Sequence, residues 1–203
     1  MTLTRAIIIH GYGADPASHW FPWLAGELEA AGIATTVPEL PDPLDPDDAT
    51  WRERATAAIG VPDEHTAVIG HSLGCLTALR AFAAAGPAAR LGALVLVSGF
   101  LDRLPGFAAL DAFIGDGADV TGMSERIGRV TLIRSDDDAI VPAALTDALA
   151  RRLGVEPVVV AGAGHFLGAD GHLTLPAARD ALLGAPARPD GAASPRPQPA
   201  AGG

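Results

Sequence analysis

The residues best placed to do chemistry begin with Gly70-His71-Ser72-Leu73-Gly74. This segment follows the apolar run Thr66–Ile69 and opens an Ala- and Leu-rich helical pattern. Glycine-x-serine-x-glycine between a strand and a helix fits a turn sharp enough to expose a serine hydroxyl. Side chains at the flanking positions would collide with the neighbouring strand and helix. Chance alone yields about 0.08 such matches in a chain of this composition, so the strand and helix around it carry the assignment. A serine hydroxyl is barely ionised at neutral pH and needs a base. His165, in Gly162-Ala163-Gly164-His165-Phe166, lies just past the last apolar run and is the candidate. An acid must orient the imidazole. Asp136, Asp137 and Asp138 all follow an earlier strand pattern, and Asp138, four residues before Pro142, is chosen, with Asp137 the near alternative. The chemistry is nucleophilic acyl transfer.

An oxyanion developing on the attacked carbonyl requires fixed N–H donors. The backbone N–H of Leu73 supplies one. The loop His10-Gly11-Tyr12-Gly13, after the first apolar run, supplies the other through Tyr12. His10, Trp20, Phe21, His71 and Phe166 are assigned to the substrate pocket from their nearness in sequence to these loops. The competing reading for the aromatic residues, including Trp23, is simple core burial. His19 is read as orienting its own loop, and His172 is the rival base. Cys75, the single cysteine, is read as a small packed residue, although a helix start can lower a thiol pKa. A metal site built from His10, His71 and His165 lacks any familiar ligand spacing, so no metal is expected.

These residues need a scaffold that collects them. Short β-rich runs alternate with helical patterns along the chain. Strands are expected at 6–10, 34–38, 66–70, 93–98, 130–134 and 156–160, and helices at 20–31, 48–58, 73–85, 142–153 and 175–183. Runs such as Ile7-Ile8-Ile9 and Leu94-Val95-Leu96-Val97 show no polar alternation, which suits strands covered on both faces. The alternation predicts six parallel strands in the order 2-1-3-4-5-6 between helical layers. Such sheets collect functional loops at their carboxyl edge. The long connection 99–122 is either a small lid or a surface excursion with one short helix near 107–113.

Length and composition set the bounds. The chain has 203 residues, 49% of them hydrophobic, and a net charge of −10. One domain over 1–183 is expected, with the Pro-, Ala- and Gly-rich stretch 184–203 a disordered tail. The acidic balance disfavours nucleic acid. All fourteen basic residues are Arg, which reflects coding bias more than function. One cysteine allows no internal disulfide. The N-terminus lacks a leader pattern and no apolar run reaches membrane-spanning length, so a cytoplasmic location without membrane association is expected by default.

In order, His10-Gly11-Tyr12, His19-Trp20-Phe21-Pro22-Trp23-Leu24, Gly70 to Cys75, Ser135 to Asp138 with Val141-Pro142, and Gly162 to Phe166 span residues 5–183. Together they resemble the small serine hydrolases related to retinoblastoma-binding protein nine, an α/β-hydrolase family. The His-Trp-Phe-Pro-Trp run is the most discriminating piece. The resemblance implies a three-layer α/β-hydrolase fold without a large cap domain, no cofactor, and a triad of Ser72, Asp138 and His165. It does not carry partner binding, because the Leu-x-Cys-x-Glu motif is absent around Cys75. The expected activity is hydrolysis of a small ester, amide or thioester through an acyl-enzyme on Ser72. The expected partner is a small acyl substrate, and the expected state is a monomer or weak dimer. Acyl transfer by the same residues, and a binding module with a vestigial triad, are the alternatives.

Overall fold

The computed structural model describes residues 2–184; the expected disordered tail therefore lies, apart from Gly184, outside the described residues. Six strands form one sheet: β1 (Arg5–Ile9), β2 (Ala34–Thr36), β3 (Thr66–His71), β4 (Ala93–Val97), β5 (Val130–Ser135) and β6 (Val158–Val160). Their order is β2-β1-β3-β4-β5-β6, every neighbouring pair parallel. The helices are α1 (Phe21–Ala30), α2 (Asp48–Ile59), α3 (Leu73–Ala84), the single turn α4 (Asp111–Ile114), α5 (Ala143–Leu153) and α6 (Pro176–Leu183).

Strand periodicity divides the apolar side chains between two cores. Ile7, Ile9, Val68, Leu94 and Leu96 face α2, α3 and α5, while Ile8, Ile69, Val95 and Val97 face α1 and α6. On α1, Phe21, Leu24 and Leu28 recur at helical spacing and are buried. Each such side chain contributes about 1.5–3 kcal/mol when fully buried. The N-terminus of α2 is fixed by Asp47, whose carboxylate accepts from the Thr50 N–H at 2.8 Å.

Two strands are shorter than expected for a shared reason. β2 stops before Pro38 and β6 starts after Pro157, because proline offers no N–H to a ladder. The 99–122 connection contains a 3₁₀ turn (Ala108–Leu110) running into α4.

Register aligns the strand ends. Ile9 pairs with Gly70, His71 with Val97, Val97 with Ile133, and Ser135 with Val160. The segments that follow β1, β3, β4, β5 and β6 therefore emerge along one edge of the sheet.

Candidate active site

Ser72 stands alone between β3 and α3 with φ +54° and ψ −125°. A non-glycine residue held in so sparsely populated a conformation costs about 1–3 kcal/mol, so the surroundings must impose it. They do so by crowding. A Cβ on Gly70 would lie 2.7 Å from the Cys75 Cα, and one on Gly74 would lie 2.4 Å from the carbonyl oxygens of both Ile9 and His10. Only glycine lets α3 start this close to β1. The Ser72 N–H donates to the Val97 carbonyl at 2.9 Å, tying the turn to β4.

His165 follows β6 on a loop pinned by the aspartate run. Asp136 accepts from the Gly162 N–H at 2.8 Å and Asp137 from the Gly164 N–H at 2.7 Å. The Ser135 hydroxyl accepts from the Ala163 N–H at 3.0 Å and donates to Asp137. Asp136 and Asp137 thus hold the loop, and Asp138 faces the imidazole. His165 Nδ1–H donates to Asp138 Oδ2 at 2.8 Å, which leaves Nε2 as the basic nitrogen.

Asp138 is almost completely buried and accepts four hydrogen bonds. Oδ1 takes the N–H groups of Ile140 and Val141 at 2.9 and 2.8 Å, and Oδ2 takes the Ser98 hydroxyl at 2.8 Å beside that of His165. Burial alone pushes its carboxyl pKa up. The bonds from His165, Val141 and Ser98, together with the nearby imidazole, outweigh burial and set it below the usual carboxylate range. Ser98, at the end of β4 with φ +49°, is the member of this group that carries no sequence motif.

Ser72, Leu73, Tyr12 and His165 line one cavity of about 200 Å³. A Cβ on Gly11 would touch the Ser72 Cβ at 3.0 Å, so the loop after β1 lies directly against the turn. Neither the Tyr12 nor the Leu73 N–H donates to an acceptor among the described residues. Besides Gly13 and His19, the remaining wall is apolar: Leu104, Phe107 and Leu110 from the 99–122 excursion, with Ile140 and Leu167. Ser72 Oγ makes no hydrogen bond among the described residues.

The five residues assigned to the pocket stand elsewhere. His10, Trp20, Phe21 and Phe166 are 0% exposed and His71 is 2% exposed; none of them lines the cavity. This corrects the expectation, which took closeness in sequence for closeness to substrate. Trp20, Phe21 and His19 pack edge-on around the His71 ring at centroid distances of 5.6–5.8 Å. His71 Nε2–H in turn donates to the His165 carbonyl at 2.9 Å. The aromatic run therefore packs around His71, which in turn holds the His165 backbone. Burial and the neighbouring His165 hold the His71 pKa well below the ordinary range. His10 donates from Nδ1 to the Gly11 carbonyl at 3.0 Å and accepts the Leu40 N–H at Nε2, 3.1 Å away, which fixes a neutral ring. His172 packs on Phe166 outside the cavity, and burial pushes the Cys75 thiol pKa far up, removing it as a nucleophile. His19 lines the cavity instead of merely shaping its loop. Among the described residues no cluster of three potential metal ligands occurs, and no helix is long and apolar enough to cross a membrane.

Comparison with known proteins agrees with this architecture. YdeN of Bacillus subtilis is 35% identical over 178 residues, covering 88% of this chain and 94% of YdeN. Its crystal structure superposes with a TM-score of 0.84, covering 88% and 96% of the two chains. The serine hydrolase RBBP9 of Rattus norvegicus is 32% identical over 104 residues, 50% of this chain and 53% of RBBP9. Est1E of Butyrivibrio proteoclasticus, at 18% identity, shares the fold with a TM-score of 0.64 over 85% of this chain and 84% of its own. The family model described as serine hydrolase matches residues 6–184, and the chain belongs to that family.

Proposed function

We propose that this hydrolase cleaves a small ester through an acyl-enzyme on Ser72. The observation that carries the reading is the Asp138–His165 bond of 2.8 Å, with His165 and the strained Ser72 lining one cavity. In this mechanism His165 Nε2 removes the hydroxyl proton as Ser72 attacks the acyl carbon. Asp138 holds the Nδ1–H tautomer and stabilises the imidazolium. The Leu73 and Tyr12 N–H groups receive the charge that develops on the carbonyl oxygen. His165 then protonates the leaving alcohol. Water, activated by the same nitrogen, releases the acid and restores Ser72.

The cavity supports a small substrate. At about 200 Å³ it lies below the roughly 300–1,000 Å³ usual for drug-sized ligands, and Leu104, Phe107, Leu110, Ile140 and Leu167 give it an apolar wall. Short acyl or alkyl groups fit this description. A fluorophosphonate probe is expected to label wild type and not Ser72→Ala, with p-nitrophenyl acetate and butyrate hydrolysed only by wild type. Equal labelling of both proteins would reject Ser72 as the nucleophile.

A further inference from the structure

His19 sits where the chain turns into α1, with φ +55°, and lines the cavity that Ser72 and His165 share. Its two nitrogens have different surroundings. Nδ1 accepts the Gly168 N–H at 2.9 Å, so it carries a lone pair and the neutral ring bears its proton on Nε2. Nε2 has no partner among the described residues. It is not one of the sealed, unpartnered polar atoms, which are Trp20 Nε1, His71 Nδ1 and Thr146 Oγ1, so it retains access to solvent in a residue that lines the cavity. Burial first, and the adjacent His165 second, lower the His19 pKa and favour the neutral ring.

A fixed N–H donor beside an apolar wall discriminates among ligands. Substrate entry strips water from it. A substrate with an acceptor at that point restores the bond, and one without it leaves a polar group unpaired. We propose that His19 is a substrate-contacting specificity residue, whose Nε2–H donates to a second oxygen of the substrate outside the reacting carboxyl group. The preferred class is then a compact ester with an ether, hydroxyl or keto oxygen on its acyl or alcohol part. This assignment rests on the hydrolase reading of Ser72.

Asparagine isolates the effect. Its Oδ1 takes the place of Nδ1 and retains the Gly168 bond, it tolerates positive φ, and it carries nothing at the position of Nε2. The test compares p-nitrophenyl methoxyacetate with p-nitrophenyl butyrate, which match in length and differ by one oxygen. The ratio of their kcat/KM values is measured in wild type and His19→Asn, so the intrinsic reactivity of the two esters cancels. The inactivation rates of the matched methoxymethyl and propyl phosphonate p-nitrophenyl esters at Ser72 supply the same ratio without turnover. A fall of about tenfold or more in either ratio on His19→Asn is expected, with His19→Ala additionally lowering activity on both esters. An unchanged ratio in a folded His19→Asn protein whose Ser72 still labels overturns the role of His19 alone. Absence of both turnover and labelling in wild type overturns the hydrolase reading and this one together.

Discussion

Ser98 shows what a single hydroxyl contributes at this site. Its Oγ–H is one of four donors on Asp138, and it shares Oδ2 with His165 Nδ1. Its left-handed backbone, φ +49°, aims the end of β4 at the acid. Ser98→Ala and Ser98→Gly both remove the donor, and glycine also relieves the backbone. Loss of a hydrogen bond to a charged group is worth about 1.5 kcal/mol, roughly tenfold in rate. Both variants should therefore lower kcat about tenfold with little change in KM, and steady-state kinetics on p-nitrophenyl butyrate checks this. Unchanged kcat in both would show that the hydroxyl does not position Asp138. The placement of Ser72, Asp138 and His165 past neighbouring strand ends was legible in the sequence because each stands in a recognisable run. Ser98 was not, because Val97-Ser98-Gly99 looks like any strand terminus. The pocket residues were misplaced for a conformational reason. At the left-handed turn, His19 lines the cavity while its neighbour Trp20 is buried in the core, and a one-letter string does not record φ.

At the scale of elements, the excursion between β4 and β5 furnishes the cavity's apolar wall yet has little regular structure of its own. Its anchor is Arg80 on α3, the helix that starts at the serine. The guanidinium donates to the carbonyls of Phe113 at 2.8 Å, Ile114 at 2.7 Å and Gly117 at 2.8 Å, and pairs with Asp48 on α2. Terminal carbonyls of the short α4, which have no partner within the helix, are thereby satisfied. Cutting this clamp frees the wall without touching Ser72 or His165. Arg80→Ala is expected to raise amide hydrogen exchange across 101–117 and to raise KM several-fold more than it lowers kcat. Exchange confined to wild-type levels in that segment would refute the clamp. The strand and helix positions came from periodicity, whereas this anchor joins residues 33–37 apart through backbone carbonyls, which carry no residue-type signature.

Taken as a whole, the molecule keeps several histidines neutral inside its fold, and this makes its stability depend on pH. His71 has Nε2–H on the His165 carbonyl and a buried Nδ1 without a partner, so a second proton would meet no acceptor. His10 uses Nε2 to accept the Leu40 N–H, a bond that protonation at Nε2 abolishes. Burial is the leading cause that lowers both pKa values from the ordinary value of 6.5. The sign follows from proton counting. Below about 6.5 the unfolded chain binds a proton at each position and the native state does not, so acidification favours unfolding. Each histidine adds up to about 1.4 kcal/mol per pH unit to that slope, until the pH reaches its folded pKa. Asp138 acts at lower pH in the same direction. Its folded pKa is depressed, so its contribution is complete above the carboxylate range and is lost as pH falls through the folded value. The urea midpoint should accordingly be highest near neutrality and fall steadily between pH 6.5 and 5. Nitrogen-15 spectra over the same range should show the His71 ring neutral for as long as the protein stays folded. A flat urea midpoint, or a His71 ring that titrates near 6.5 in the native state, would mean that this ring is not sealed from water.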